Sequence, residues 1–229
     1  MQLTEEQELI QDMAKNFAQQ QIKPYASEWD QKSIFPAQAL SQMGQLGFMG
    51  MLIPEQWGGS DTGTLAYVLA LEEIAAADGA TSAIMSVHNS VGCVPILRFG
   101  TEQQKQQFLM PLAQGKMIGA FALTESHTGS DAAAIKTRAV KVGEHYILNG
   151  SKQFITSGHN AGMIIVFAVT DAAAGKKGIS AFLVPRDSPG YEVIRVEEKL
   201  GLHASDTCQI ALTDVRLRHS LRLGAEGEG

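Results

Sequence analysis

From Ile118 to Asp131 the chain reads IGAFALTESHTGSD, an apolar run that breaks into a loop of small polar residues. The stretch marks a change of period. Upstream, apolar residues recur at helical spacing; downstream, short β-like runs alternate with turn signals. Thr4 with Gln7 three residues on predicts a capped helix start, with Glu5 and Glu6 where the helix dipole favours negative charge. Leu9, Ile10, Met13 and Phe17 form its expected inner face. Pro36 opens a second helix carrying Ala39, Leu40 and Met43, stopped by Gly44 and Gly47. A third is expected over 64–78, with Leu65, Val68, Leu69 and Ile74 along it, and a fourth over 80–99, bending near Pro95. A fifth begins at Thr101, again with Gln three residues later. Seven β-like runs follow, at 118–123, 137–142, 146–148, 163–169, 179–184, 191–196 and 207–212. Val142-Gly143-Glu144, Asn149-Gly150, 174–178 and Ser188-Pro189-Gly190 supply turns between them, Asn149-Gly150 being read as a hairpin. The fold class is α+β: an N-terminal all-α helical domain at 1–117, then an antiparallel β-sandwich or barrel-like domain at 118–229.

Composition narrows the function. In 229 residues, 45 % apolar and 18 % charged, there is material for two packed domains and no disordered signature. A net charge of −6 without a basic stripe argues against nucleic acid. Cys93 and Cys208 stand far apart, which fits two buried thiols in a reducing compartment and no disulfide framework. The opening MQLTEEQELI lacks a basic region followed by an apolar run, so no signal peptide is read, and charged, Gln or Gly residues interrupt each apolar run, so no membrane span is expected. A cytoplasmic location follows as the expectation. No G-x-G-x-x-G opens a helix after a strand, no phosphate-binding G-x-x-x-x-G-K-[ST] loop occurs, and no G-x-S-x-G elbow is present. The six histidines include no H-x-x-x-H pair, and no metal site is expected.

The polar loop after 118–123 offers backbone groups freed at a strand end, hydroxyls, and a glycine permitting close approach. Such a surface suits a flat, polar-edged heterocycle or a phosphate; equally, it describes a capped turn ending a strand. Three blocks decide between the two. TESHTGSD at 124–131 resembles the T-E-x-x-x-G-S-D signature of the acyl-CoA dehydrogenase family. NGSKQFITSG at 149–158 resembles that family's NGxKxxITNG segment, and KLGLHASDT at 199–207 its K-x-G-x-x-x-S-D-T segment. All three occur in the family's order, and the helical-then-β organisation agrees over the whole chain.

The resemblance implies FAD as cofactor, an acyl-CoA substrate and an electron-transferring flavoprotein as electron acceptor. Phe121 to Ser130 would line the flavin, with Leu123 and Thr124 bonding its pyrimidine edge and Ser130 lying where FAD and acyl-CoA approach one another. Phe154 would pack on the isoalloxazine face, Ile155 belongs to the same cofactor-binding strand, and Thr156 would offer its hydroxyl near the ring nitrogen that receives hydride. From the residues alone, Phe154 is equally a core aromatic and Thr156 equally a strand residue; Glu125 and Asp131 read as caps of nearby N–H groups rather than acid–base groups. Two departures stand out. Ser126 and His127 occupy places where the signature often carries Pro, which makes the loop less rigid by sequence, and Phe154 stands where Trp is frequent, which removes an indole donor.

In the family the carboxylate base comes from a C-terminal helical bundle that also completes the acyl-CoA cleft and the subunit interface. Leu223 to Gly229 reads as the linker into such a bundle, so no catalytic residue is assigned here and the chain alone is expected to be inactive. Short or branched acyl chains are the expected substrates, and a homo-oligomer the expected state of the complete protein. The alternatives are a non-catalytic flavin- or acyl-CoA-binding subunit and a related flavin oxidase or monooxygenase.

Overall fold

The computed structural model describes residues 2–229. Helix α1, Glu5–Phe17, starts at Thr4, whose hydroxyl accepts the Gln7 N–H while the Gln7 side chain accepts the Thr4 N–H. A wide π-helical turn, Ala18–Ile22, joins α1 to α2 at Lys23–Lys32. Helices α3 (Ala37–Gln45), α4 (Gly63–Ala77) and α5 (Gly79–Val87) follow. A second π turn, His88–Cys93, leads into α6 at Val94–Phe99. Thr101 and Gln104 form another reciprocal cap ahead of α7 (Glu102–Gln104), which runs through a third π turn into α8, Met110–Ala113.

Helix α2 was not expected, because Pro24 and a polar sequence mask it; Pro sits in its first turn, where a missing N–H costs nothing. The expected inner faces also shift. Leu9 is 70 % exposed and Met13 is 38 % exposed, while Ala14, Phe17 and Ala18 are buried; on α4, Ala66, Tyr67, Ala70 and Ile74 go inward and Val68 points out. Small residues at these contacts let the helices approach closely, which overrides the larger side chains on the neighbouring stripe. Helices α5 and α6 with their π turn form a 21-residue run holding an 18-residue window of mean hydropathy 1.2, long and apolar enough to cross a membrane by length and composition, contrary to the sequence expectation. More than half of it is buried within the chain, and His88 and Asn89 inside it are hydrogen-bonded to protein groups. That is the character of a core helix.

The second half forms eight strands in one sheet: β1 (Gly119–Ala122), β2 (Arg138–Val142), β3 (His145–Thr156), β4 (Met163–Val169), β5 (Ile179–Pro185), β6 (Tyr191–Val196), β7 (Thr207–Arg218) and β8 (Arg222–Leu223). Their order is β6-β7-β3-β2-β4-β5-β8. The sheet is mostly antiparallel rather than wholly so, since β1 runs parallel to β4 with Gly119 opposite Met163 and Ala122 opposite Val166. The predicted hairpin at Asn149-Gly150 is instead continuous strand. The β2–β3 turn lies at Gly143-Glu144, where Gly143 takes a φ of 58°. Asn149 exchanges two bonds of 2.9 Å with Asp214, which bulges out of β7 at a φ of 51°. Gly150 is needed for close approach: a Cβ there would stand 2.4 Å from Thr137 Oγ1.

The two halves share a core. Ile53, Cys93, Phe108 and Leu112 pack against Met163, Ile165, Ala181 and Leu183, so the helices rest on β4 and β5. His203 of the β6–β7 loop bonds Asp30 of α2 through its N–H at 2.8 Å and through Nδ1 at 3.0 Å. The segment after β8 lies along β5, with Gly229 N–H donating to the Ile179 carbonyl at 2.8 Å and Glu226 bonded to Arg222 and Tyr146.

Candidate functional site

Strand β3 carries inward side chains at even positions, Tyr146, Leu148 and Lys152. A bulge then reverses the alternation. Lys152 pairs with Ile210 and Ile155 with Cys208, so β3 carries one residue more than β7 across this step, and Phe154 absorbs it at a φ of 60°. Positive φ is strained for an aromatic residue. Ile155 therefore enters the core at 2 % exposure, so its side chain is not available to a ligand, whereas Phe154 turns outward at 58 % exposure and Thr156 ends the strand half-buried. Phe154 is not a core aromatic.

The end of β1 lies beside this bulge. The Thr124 carbonyl accepts the Gln153 N–H at 2.9 Å, which brings Leu123 and Thr124 alongside the residues just before Phe154. Beneath them Lys152 is fully buried; its ammonium donates to the Leu123 carbonyl at 3.0 Å and to Glu125 Oε1 at 2.9 Å. Glu125 also accepts the Lys136 and Thr137 N–H groups, at 2.7 and 2.9 Å. Although burial works the other way, these donors together hold the Glu125 carboxyl below its ordinary value, while burial lowers the Lys152 ammonium. Glu125 thus does cap backbone N–H groups. Asp131 does not cap with its side chain; its carbonyl accepts from Thr128 Oγ1 and from the Ala134 N–H. Nor is the loop left loose by the missing Pro: Glu125 and Thr128 exchange backbone bonds of 2.9 and 3.1 Å, and His127 Nε2 lies 3.1 Å from the Ala134 carbonyl.

The third sequence block closes the turn after Thr156. The Asp206 carbonyl accepts the Ser157 N–H at 2.9 Å, and its carboxylate accepts the His159 N–H at 2.7 Å and the Asn160 side-chain N–H at 2.9 Å. Lys199 reaches the Ser205 carbonyl and, at 3.2 Å, Thr207 Oγ1. On the other side of β1, Phe121, Leu123 and Ser130 line a cavity of about 440 Å³ together with Asp131, Phe167 and Lys176. Phe121 and Phe167 form its aromatic wall, with ring centroids 4.9 Å apart.

Sequence reasoning did not single out Lys152, Lys176 or His88. Strand alternation held the signal for Lys152, since an even-numbered residue of β3 faces inward. His88, at the start of the second π turn, is fully buried; its Nδ1 accepts the Gly119 N–H that opens β1, and its Nε2 meets the Leu112 carbonyl, each at 3.0 Å. Burial pushes its pKa down to about 4.

Residues 4–116 match the family described as acyl-CoA dehydrogenase, N-terminal domain, and residues 120–215 match acyl-CoA dehydrogenase, middle domain. The chain belongs to the acyl-CoA dehydrogenase family. It is 42 % identical over 227 residues to the short-chain specific acyl-CoA dehydrogenase of Clostridium acetobutylicum, covering 99 % of this chain and 60 % of that protein. Butyryl-CoA dehydrogenase from Megasphaera elsdenii superposes with a TM-score of 0.96 at 38 % identity, over 100 % of this chain and 61 % of that one. A chain of a structure described as the electron transferring flavoprotein of Acidaminococcus fermentans superposes with a TM-score of 0.98 at 43 % identity, over 100 % of this chain and 60 % of that one. The chain thus spans less than two thirds of the length of these relatives. Acyl-CoA dehydrogenases are FAD-dependent. The donor set here fits such a group: an outward aromatic face at Phe154, a hydroxyl at Thr156, and a strand end at Leu123 and Thr124 whose backbone is held from below.

Proposed function

We propose that this chain forms the flavin-binding and acyl-facing part of an FAD-dependent acyl-CoA dehydrogenase that acts on short acyl thioesters and passes its electrons to an electron-transferring flavoprotein. The observation that carries the reading is Phe154, turned out of β3 at positive φ beside the end of β1, because strain of this kind is kept where a side chain has work outside the core. When bound, FAD supplies a two-electron acceptor for the hydride leaving the acyl β-carbon. Phe154 would cover one face of the ring and exclude water from it. Thr156 would place its O–H beside the ring nitrogen that receives hydride, and Leu123 and Thr124 would hold the pyrimidine edge, where negative charge develops on reduction, through backbone and hydroxyl groups. Ser130 and Lys176, at the cavity walled by Phe121 and Phe167, would hold the polar, anionic end of the thioester carrier. No group of this chain is assigned the α-proton. Glu125, next to Thr124, is engaged by Lys152 and two backbone N–H groups and is not free to take it.

Short substrates are supported by the short-chain and butyryl descriptions of the similar proteins, and the electron acceptor by the flavoprotein description. The product of the complete reading frame, loaded with FAD, is mixed with butyryl-CoA without oxygen. Bleaching of the visible flavin band, with no oxygen uptake when air is admitted, is the expected result. Rapid oxygen consumption would make the protein an oxidase, and no bleaching with any acyl-CoA would remove the dehydrogenase reading.

A further inference from the structure

Lys152 is buried to 0 % exposure on a strand whose other inward residues are Tyr146, Leu148 and Ile155. Desolvating an ammonium and a carboxylate costs several kcal/mol, and apolar residues of similar volume often do as well or better for stability. What an apolar pair could not do is orient backbone. The ammonium fixes the Leu123 carbonyl at 3.0 Å, and its partner Glu125 fixes the Lys136 and Thr137 N–H groups at 2.7 and 2.9 Å. The loop 126–135, which carries Gly129 and Ser130, therefore leaves from and returns to a single carboxylate. Two residues beyond Lys152 the same strand turns Phe154 outward, and between them Gln153 bonds the Thr124 carbonyl.

Resting on the flavin reading above, we propose that Lys152 and Glu125 are positioning residues for the cofactor site. They set the direction of the Leu123–Thr124 backbone and close the base of the Ser130 loop, so that the ring edge and the thioester carrier meet groups already in place. Neither residue touches the cofactor; each acts through the backbone it holds.

The test compares the parent protein with Lys152→Met/Glu125→Gln, which removes both charges together and leaves no unpaired buried ion. FAD affinity is read by quenching of flavin fluorescence, and hydrogen exchange is measured on the Lys136, Thr137 and Gln153 amides of the FAD-free protein. The double variant folds, its FAD dissociation constant rises about tenfold or more, and the Lys136 and Gln153 amides lose protection, while Thr137, whose N–H the glutamine oxygen can still accept, serves as the internal reference. Unchanged FAD affinity in a folded double variant overturns the proposal. Should that variant not fold, Glu125→Gln alone serves, because the glutamine oxygen still accepts from Lys152 while its NH₂ cannot accept the Lys136 N–H. It is expected to weaken FAD binding and to speed Lys136 exchange, and no change in either would overturn the proposal. A parent protein that binds no FAD refutes the flavin reading, while the amide comparison still decides whether the ion pair organises the loop.

Discussion

Acidification loads a proton onto His88 in the unfolded chain well before it can do so in the folded one. The ring is fully buried, accepts the Gly119 N–H at Nδ1, and therefore carries its proton on Nε2, which faces the Leu112 carbonyl; Cys93 Sγ lies 3.6 Å from the same nitrogen. A second proton would meet the Gly119 donor head-on. Burial accordingly lowers the pKa from 6.5 to about 4. That gap of about 2.5 units, at about 1.4 kcal/mol each, is worth about 3 kcal/mol. The contribution is present above the unfolded value near pH 6.5 and is lost as pH falls towards the folded value, about 2 kcal/mol of it by pH 5. Urea unfolding of the parent and of His88→Gln at pH 7 and pH 5 separates this from the carboxylates, which titrate in both proteins. The parent's advantage should shrink by about 2 kcal/mol between those pH values. An advantage that stays constant, or a His88 ring that titrates near pH 6.5 by NMR, refutes the reasoning. Because Gly119 opens β1, loss of the ring's acceptor also loosens the strand that leads to Leu123 and Thr124.

Phe154→Gly removes a strained, mostly exposed aromatic, so the FAD-free protein should melt no lower and gain up to about 1 kcal/mol, while FAD affinity falls; calorimetry and flavin titration check the two halves. Gly150→Ala drives a methyl group to within 2.4 Å of Thr137 Oγ1 and should destabilise by about 1–3 kcal/mol in urea unfolding. Hydrogen bonding to Asp30 raises the His203 pKa, so that link stabilises fully below the ordinary histidine value and fades as pH rises through the folded one. The thermal advantage of the parent over His203→Gln should therefore be larger at pH 6 than at pH 8.

Features governed by a few adjacent residues were legible in the sequence. Both capping boxes stand where Thr4–Gln7 and Thr101–Gln104 indicate, and Pro36 and Gly47 bracket α3 as their types require. Features decided by distant partners were not. Leu9 is as apolar as any core residue, yet the α1 contact is made by Ala14 and Ala18, whose advantage exists only once another helix lies against them. Asn149-Gly150 has the chemistry of a hairpin, but Asp214 takes the Asn149 side chain and Thr137 needs the absence of a Gly150 Cβ, and both lie on other strands. The site divided along the same line. Its loop and strand blocks could be read from residue types in order, whereas the outward turn of Phe154 depends on a register shift against β7, and the service of Lys152 to Leu123 depends on β1 meeting β3. The three π turns left no local signal that periodicity could detect.

A crystal structure of the FAD-loaded protein would interrogate the site most directly. The isoalloxazine ring is expected to lie flat on Phe154, with the Thr156 hydroxyl and the Leu123–Thr124 backbone each about 3 Å from its polar edges. A ring bound elsewhere on the chain, or seated there with Phe154 swung back into the core and φ negative, would contradict that expectation.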